Sequence, residues 1–215
     1  FYVDRFRVER VDLAGAPPAT VVADGFFVGS IAADATHLYR VTQPFSGIVA
    51  APVAGGAETL LATAASLAEG LRVTPTHVYF GDGLTAIRRV PLAGGAAETV
   101  ADGIASLSDF VVAGGIVVYS EQDLGQVSAL PLAGGPARLV GVAMPFSWIH
   151  LAAGPERLYW VDQAALSAAP LAGGPQQLLA VDLDSDAGFA NGVFADDEAV
   201  FWSEVGAGTI RMLPR

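Results

Sequence analysis

The phrase Pro131-Leu132-Ala133-Gly134-Gly135 recurs along this chain at a spacing that leaves few folds open. Near-copies stand at Leu13-Ala14-Gly15-Ala16, Pro52 to Gly56, Pro91 to Gly95 and Pro170 to Gly174. The last small residues of these turns are 16, 56, 95, 135 and 174, so the steps are 40, 39, 40 and 39. An aromatic keeps the same interval: Tyr2, Tyr39, Tyr79, Tyr119, Tyr159 and then Phe201. Two independent markers with one period of about 40 residues define a repeat protein, and a period of that size belongs to solenoids, propellers and arrays.

The third copy shows what one repeat contains. Ser66 to Val73 leans apolar, Thr74-Pro75-Thr76 supplies a turn, and His77-Val78-Tyr79-Phe80 is rich in strand formers. Gly81-Asp82-Gly83 turns again, Thr85 to Leu92 alternates, Ala93-Gly94-Gly95 is a tight turn, and Glu98-Thr99-Val100 closes the unit. That reads as four short strands and three turns, with no helical period. The Gly pairs permit the positive φ that two-residue hairpins need. Four antiparallel strands in about 40 residues make one propeller blade.

The expected fold is therefore all-β, a six-bladed β-propeller forming one domain over residues 1–215, with blades near 1–25, 26–65, 66–103, 104–142, 143–182 and 183–215. With strands named A to D from the centre outward, Phe1-Tyr2-Val3 is already a B strand and Arg211 to Arg215 is a C strand. The first and last blades are thus incomplete. An upstream segment of roughly 20 residues is expected to supply both missing strands, because unpaired sheet edges are a liability. The B-strand aromatics, present on every blade, are expected to pack between blades.

Composition narrows the function classes. With 53% hydrophobic and 15% charged residues the chain is too apolar for disorder. Every run of 18 residues contains a Gly, Pro or charge, so no membrane-spanning segment is written. Twenty-two acids against 11 bases, all of them Arg, give a net charge of −11. Such a surface repels a phosphate backbone and makes nucleic acid an unsuitable partner, whereas cations or basic protein patches suit it. Acidity also keeps an apolar chain in solution. The absence of Lys, with Ala and Gly in excess, fits a GC-rich bacterial coding bias. Having no Cys removes disulfides, thiol nucleophiles and zinc–thiolate sites together. The start at Phe1 without Met fits a chain whose targeting segment has been removed, or a fragment. An extracellular, periplasmic or cell-surface location is expected.

The cadence Ile31-Ala32-Ala33-Asp34-Ala35-Thr36-His37-Leu38-Tyr39, with Leu158-Tyr159-Trp160-Val161-Asp162, resembles the YWTD-type six-bladed propellers. Coupled to the Pro-Leu-Ala-Gly-Gly turn, it also resembles repeats of exported bacterial propeller proteins. The resemblance spans the whole chain and implies a fold rather than an activity. Only Trp160 and Trp202 keep the Trp of that signature, and Arg40 and Ser120 replace it elsewhere. Less regular packing is expected in those two blades.

The repeat lets the innermost strands be superposed. Ten residues before each B-strand aromatic stand Gly29, Glu69, Asp109, Ile149 and Asn191. Three of these five carry oxygen-bearing side chains, and equivalent positions in a ring point at one axis. Glu69, Asp109 and Asn191 are therefore candidate ligands for a hard divalent cation such as calcium. Alternatively, they line a wet channel and hold only water. The set resembles, in residue type and ring position, the Glu/Asn/Asp metal site of gluconolactonase-like propellers, which implies a metal that polarises a lactone and an acid that activates water. His150, one step along from Ile149, is a candidate accessory base or ligand.

Other motifs carry less. Asp182-Leu183-Asp184-Ser185-Asp186-Ala187-Gly188 has the alternating Asp of an EF-hand loop, but Ala187 and Val193 stand where Gly and the bidentate Glu belong. A solvated loop is the better reading. His37 and His77 share one slot before the B strand and read as turn residues. No Gly-x-Ser-x-Gly elbow is present, and the Gly-Gly turns join strands, so they are not phosphate loops. The most individual segments carry Phe45, Phe146, Trp148 and Phe189, candidate hot spots for a partner, although Phe146 and Trp148 can equally cap the core. The leading expectation is a non-catalytic binding or scaffold module that engages a protein or glycan through one disc face. The alternatives are a calcium-dependent lactonase- or esterase-like hydrolase, or a structural subunit of a larger assembly.

Overall fold

The structure, a computed structural model, describes residues 2–4, 7–10, 19–23, 30–42, 47–64, 68–181, 190–204 and 208–215. Among these residues no helix occurs, and 22 strands pair in six sheets, every pair antiparallel. The first sheet holds β1 (Tyr2–Asp4), β2 (Arg7–Arg10) and β3 (Ala19–Ala23). Next come β4 (Ile31–Ala33), β5 (His37–Thr42), β6 (Gly47–Pro52) and β7 (Thr59–Thr63), then β8 (Ala68–Val73), β9 (His77–Asp82), β10 (Ala86–Pro91) and β11 (Glu98–Ala101). The fourth sheet is β12 (Leu107–Ala113), β13 (Ile116–Glu121), β14 (Gln126–Pro131) and β15 (Arg138–Val142). The fifth is β16 (His150–Ala153), β17 (Arg157–Val161), β18 (Ala165–Pro170) and β19 (Gln177–Val181), and the sixth is β20 (Ala190–Ala195), β21 (Ala199–Glu204) and β22 (Thr209–Pro214). In each sheet the strands follow chain order, so each repeat is a meander. Two compact units are formed, Phe1–Asp102 and Gly103–Arg215.

In the four-stranded sheets the second strand is buried on both faces, which is why it reads as a nearly continuous apolar run. Successive strand residues point to opposite faces. On β5, Leu38 packs with Val8 and Ala51, whereas Tyr39 and Val41 pack with Leu71, Val78 and Phe80 of the next sheet. On β17, Trp160 joins Val111, Val118 and Val140 of the preceding sheet, and its neighbour Tyr159 joins Val200 and Trp202 of the following one. Tyr39 and Tyr159 are thus core residues between sheets and Tyr79 and Tyr119 are buried as well, whereas Phe201 at the same repeat position is half-buried.

The repeated turn has one construction. Gly55, Gly94, Gly134 and Gly173 each donate their N–H to the carbonyl of the Pro three residues earlier, at 2.9, 2.9, 3.1 and 3.0 Å. Both Gly of each pair have positive φ. The connection from β10 to β11 nevertheless runs over residues 92–97, so the Gly pair sits inside a longer loop than a two-residue hairpin. His37 and His77 open β5 and β9 rather than preceding them, and their Nδ1 atoms lie 2.9 and 2.8 Å from the hydroxyl of the preceding Thr.

Where Trp is replaced, the polar substitutes are buried and paired. Arg40 is buried and meets Glu58 through two hydrogen bonds, Nε at 3.0 Å and Nη2 at 2.7 Å. Ser120 is fully buried, and its hydroxyl donates to the Ile149 carbonyl at 3.2 Å and accepts the Asp109 N–H at 3.1 Å. The polar substitutes are satisfied, and a satisfied buried polar group costs little.

Candidate functional site

The three oxygen-bearing candidates share a backbone feature. The pairing of β8 with β9 slips between Glu69 and Leu71, that of β12 with β13 between Leu107 and Phe110, and that of β20 with β21 between Ala190 and Val193. Glu69, Asp109 and Asn191 therefore sit at β-bulges. The first strands β4 and β16 pair with their neighbours without a slip over their described length. Bulges between third and fourth strands recur as a property of the repeat, as at Ile48/Val49 and Val127/Ser128. Those in the first strands accompany the polar residues, and a bulge re-aims the side chains around it. Glu69 lies in the first unit, Asp109 and Asn191 in the second, and the side chains of Glu69 and Asn191 lie outside the described residues.

Asp109 has work of its own in the fold. One carboxylate oxygen accepts the Phe110 N–H at 2.8 Å, and the other accepts the Leu151 N–H on β16 at 2.9 Å. Beside it the Ser108 hydroxyl accepts the Ile149 N–H at 3.0 Å. These side chains stitch the first strands of two neighbouring sheets together. The first unit uses the same stitch with a neutral group, the Ser30 hydroxyl accepting the Leu71 N–H at 2.8 Å. Sequence reasoning missed this role, although Ser30 and Asp109 stand nine and ten residues before their tyrosines.

His150 opens β16 next to this carboxylate. Its Nε2 is buried with no hydrogen-bond partner among the described residues. Burial holds its pKa below the usual 6.5, and the negative charge of Asp109 opposes that shift only in part. The imidazole is therefore neutral at pH 7, able to accept a proton or a ligand. Among the described residues no group of three or more His, Asp or Glu side chains is placed to hold a metal ion.

At the end of the sheets where β12 and β16 begin, the segment joining β15 to β16 carries the other candidates. Phe146 and Trp148 are 77% and 51% exposed, so neither caps the core. Met144 and the neighbouring Leu124 are exposed as well. The loop beneath them is held at every step. Ala143 donates its N–H to Gly125 O at 2.8 Å, Met144 to the Asp162 carboxylate at 2.8 Å, and Phe146 to Gln122 O at 2.8 Å. The buried Ser147 hydroxyl donates to Met144 O at 2.7 Å. Phe146 adopts φ = 59°, a left-handed conformation that costs a bulky residue of this kind on the order of 1 kcal/mol or more. A fixed backbone thus holds apolar side chains out in solvent. The other two partner candidates, Phe45 and Phe189, and the aspartate-rich loop from Asp182 lie outside the described residues.

No protein-family model matches the chain, and no curated protein does. Solved structures do. A chain of the nidogen/laminin complex superposes with a TM-score of 0.71 at 14% identity, over 92% of this chain and 80% of that one. Streptogramin B lyase superposes with a TM-score of 0.75 at 11% identity, over 98% of this chain and 76% of that one. The fold is a β-propeller. At these identities the likeness shows the fold and nothing finer. The propeller's sheets bring β12 and β16 together at Asp109 and His150, and they leave the Phe146–Trp148 loop exposed at the same end of those strands.

Proposed function

We propose that this chain is a non-catalytic binding module, an exported six-bladed propeller of the YWTD type that holds a protein partner against Phe146 and Trp148. The observation that carries the reading is the seated loop: four hydrogen bonds and a strained backbone angle keep two aromatic side chains exposed. A rigid aromatic pair lowers the entropy cost of binding, and Trp is among the residues most often dominant in interfaces. The surroundings are acidic. In the second unit Glu121 and Asp123 border the turn under the loop, Arg211 is paired with the buried Glu204 at 2.8 Å, and Arg138, Arg157 and Arg215 lie at the opposite ends of their strands. A partner with basic groups around an apolar centre fits this end.

The test is a parallel capture with immobilised wild-type chain and the double variant Phe146→Gly/Trp148→Ser. The reading expects a partner retained saturably by the first and released by the second, with both chains melting alike. Equal retention by both would remove the loop from the interface.

A second reading has its own support. Asp109 and Asn191 both stand at first-strand bulges in the second unit, with the neutral His150 beside Asp109. Oxygen ligands of this kind suit calcium, and a bound cation there would serve a lactonase- or esterase-like hydrolase. A thermal melt in EDTA, then with calcium added, tests it. At about 100 times Kd the native state gains roughly 2.7 kcal/mol. Asp109→Asn should erase that gain, and a flat response would retire the reading. A nidogen/laminin complex and a lyase among the structural neighbours support weighing a binding and an enzymatic reading side by side.

A further inference from the structure

The second unit contains a cavity of about 470 Å³ between the sheets β16–β19 and β20–β22. Tyr159, Leu179, Val200 and Leu213 form much of its wall, and Arg157 and Arg215 reach it from the two sheets. The first unit has the same groove between β4–β7 and β8–β11, there about 280 Å³. Backbone hydrogen bonds fix the equivalence. Leu92 donates its N–H to Thr76 O at 3.0 Å, and Arg215 makes the matching bond to Glu198 O at 3.1 Å. Arg215 thus stands where Val53, Leu92, Leu132 and Leu171 stand in the earlier repeats.

The two grooves differ in polarity. In the first, the Tyr39 hydroxyl donates to the Asp34 carboxylate at 2.7 Å. Asp34 lies five residues before Tyr39, and five residues before Tyr159 stands Gly154. The carboxylate is therefore missing from the second groove. In its place Arg215 Nε donates to the Tyr159 hydroxyl oxygen at 3.0 Å, with the guanidinium carbon 5.3 Å from the ring centroid. That guanidinium occupies the space a side chain at 154 would need, since a Cβ there would overlap its Nη2. Arg157 replaces the His found at positions 37 and 77. Its Nη2 donates to Gln177 Oε1, while its Nε is buried with no partner among the described residues.

A phenol, the Arg215 guanidinium, the buried and unpartnered Nε of Arg157 and an apolar wall select a particular chemistry. Guanidinium pairs with carboxylate in a planar, two-bond geometry that strengthens when water is excluded. A volume of this size suits a small organic molecule rather than a bare ion. Glu156 and Asp197 also line the cavity and Asp196 attracts Arg215 electrostatically, all three exposed, and their charge disfavours ligands with more than one negative charge. We propose that this cavity binds a small apolar monocarboxylate, whose acid group takes the position that the Asp34 carboxylate fills in the first groove, here against Arg215 and Arg157. Its apolar body lies between Leu179, Val200 and Leu213.

Calorimetric titration of the full chain with benzoate, and with benzyl alcohol as its neutral counterpart, tests the assignment. Benzoate should bind saturably with Kd in about the millimolar range, at least tenfold more tightly than benzyl alcohol. Arg215→Leu restores the residue type of the other repeats, so it should melt as the wild type does while losing at least tenfold in benzoate affinity. Arg157→Gln should lose several-fold, a check that stands even if the first variant folds poorly. Equal affinity for the two probes, or undiminished benzoate binding by both variants, would overturn the proposal. Phe146→Gly should leave benzoate binding unchanged, which separates this site from the exposed loop.

Discussion

Two glycine turns close opposite ends of the sheet β12–β15, and they do different jobs. Gly134 and Gly135, with φ of 95° and 126°, stand in open space: a Cβ on either would meet nothing within 4 Å. Gly125, with φ of 61°, is pressed against another segment, and a Cβ there would lie 2.6 Å from Ala143 O and 2.8 Å from Pro145 N. The first turn answers only to its own backbone and recurs at Gly55, Gly94 and Gly173. The second is a seat, because the carbonyls of Gln122 and Gly125 hold the N–H groups of Phe146 and Ala143. Repetition marks what the fold needs, and departure from it marks what this chain does with the fold.

The contrast can be broken hardest from below. Trp160 is fully buried under the seat and donates its indole N–H to Val142 O, at 3.3 Å, where the loop begins. Trp160→Ala should cost about 3–5 kcal/mol in denaturant unfolding and should expose the 143–149 backbone to hydrogen exchange. A cost under about 1 kcal/mol would mean that the loop rests on something else. Next in size is the pair of glycines. Gly134→Ala should cost about 1 kcal/mol, the strain of positive φ alone, whereas Gly125→Ala adds overlap with the loop backbone and should cost about 2–3 kcal/mol. Equal costs would erase the distinction between the two turns.

Acid should separate the turns of the first unit in the same way. Burial alone would raise the Asp34 carboxyl, but hydrogen bonds from Tyr39, Thr36 and His37 outweigh it and hold the pKa well below the usual 3.8. A carboxyl depressed on folding contributes its full stabilisation above its unfolded pKa. That contribution fades as pH falls from about 4 toward the folded value. Asp34→Asn should therefore cost about 1 kcal/mol at pH 7 and flatten the acid side of the stability curve measured by urea midpoints between pH 7 and 3. An unchanged curve would show that the carboxylate contributes nothing there.

The period-40 phrase made the meander legible, because strand number, turn chemistry and the double-sided burial of Tyr39, Tyr79 and Tyr159 all follow from recurrence. The equivalence of Glu69, Asp109 and Asn191 was legible too, as a shared position. The bulge at each was not, since a one-residue slip in pairing leaves no mark in composition. Nor was the engagement of Asp109, which spends one carboxylate oxygen on the N–H of its neighbour Phe110 and the other on Leu151 across a sheet boundary. Phe146 and Trp148 were ambiguous as text, because an aromatic loop beside a core strand reads as cap or as contact. Only the seating by Gln122, Gly125 and Asp162, far away in sequence, decides for exposure. The polar contact at Tyr159 was visible in principle as Arg215 standing where Val53, Leu92, Leu132 and Leu171 stand in the earlier repeats, but its meeting with Gly154 depends on two sheets facing each other.

The smallest effect on stability is the sharpest test of the comparison. Phe146 carries a left-handed backbone angle with its ring out in solvent, so Phe146→Gly removes strain and little buried surface. Glycine adopts this angle freely but enlarges the unfolded ensemble, and the two effects leave a net change within about 1 kcal/mol of zero. The variant should melt at or slightly above the wild type. In the capture assay it should lose most of its retained partner, because the anchor is gone while the scaffold is intact. A residue kept for folding would behave in the opposite way, lowering the melt and sparing the binding. That outcome would return Phe146 to the fold and strip the loop of its assigned role.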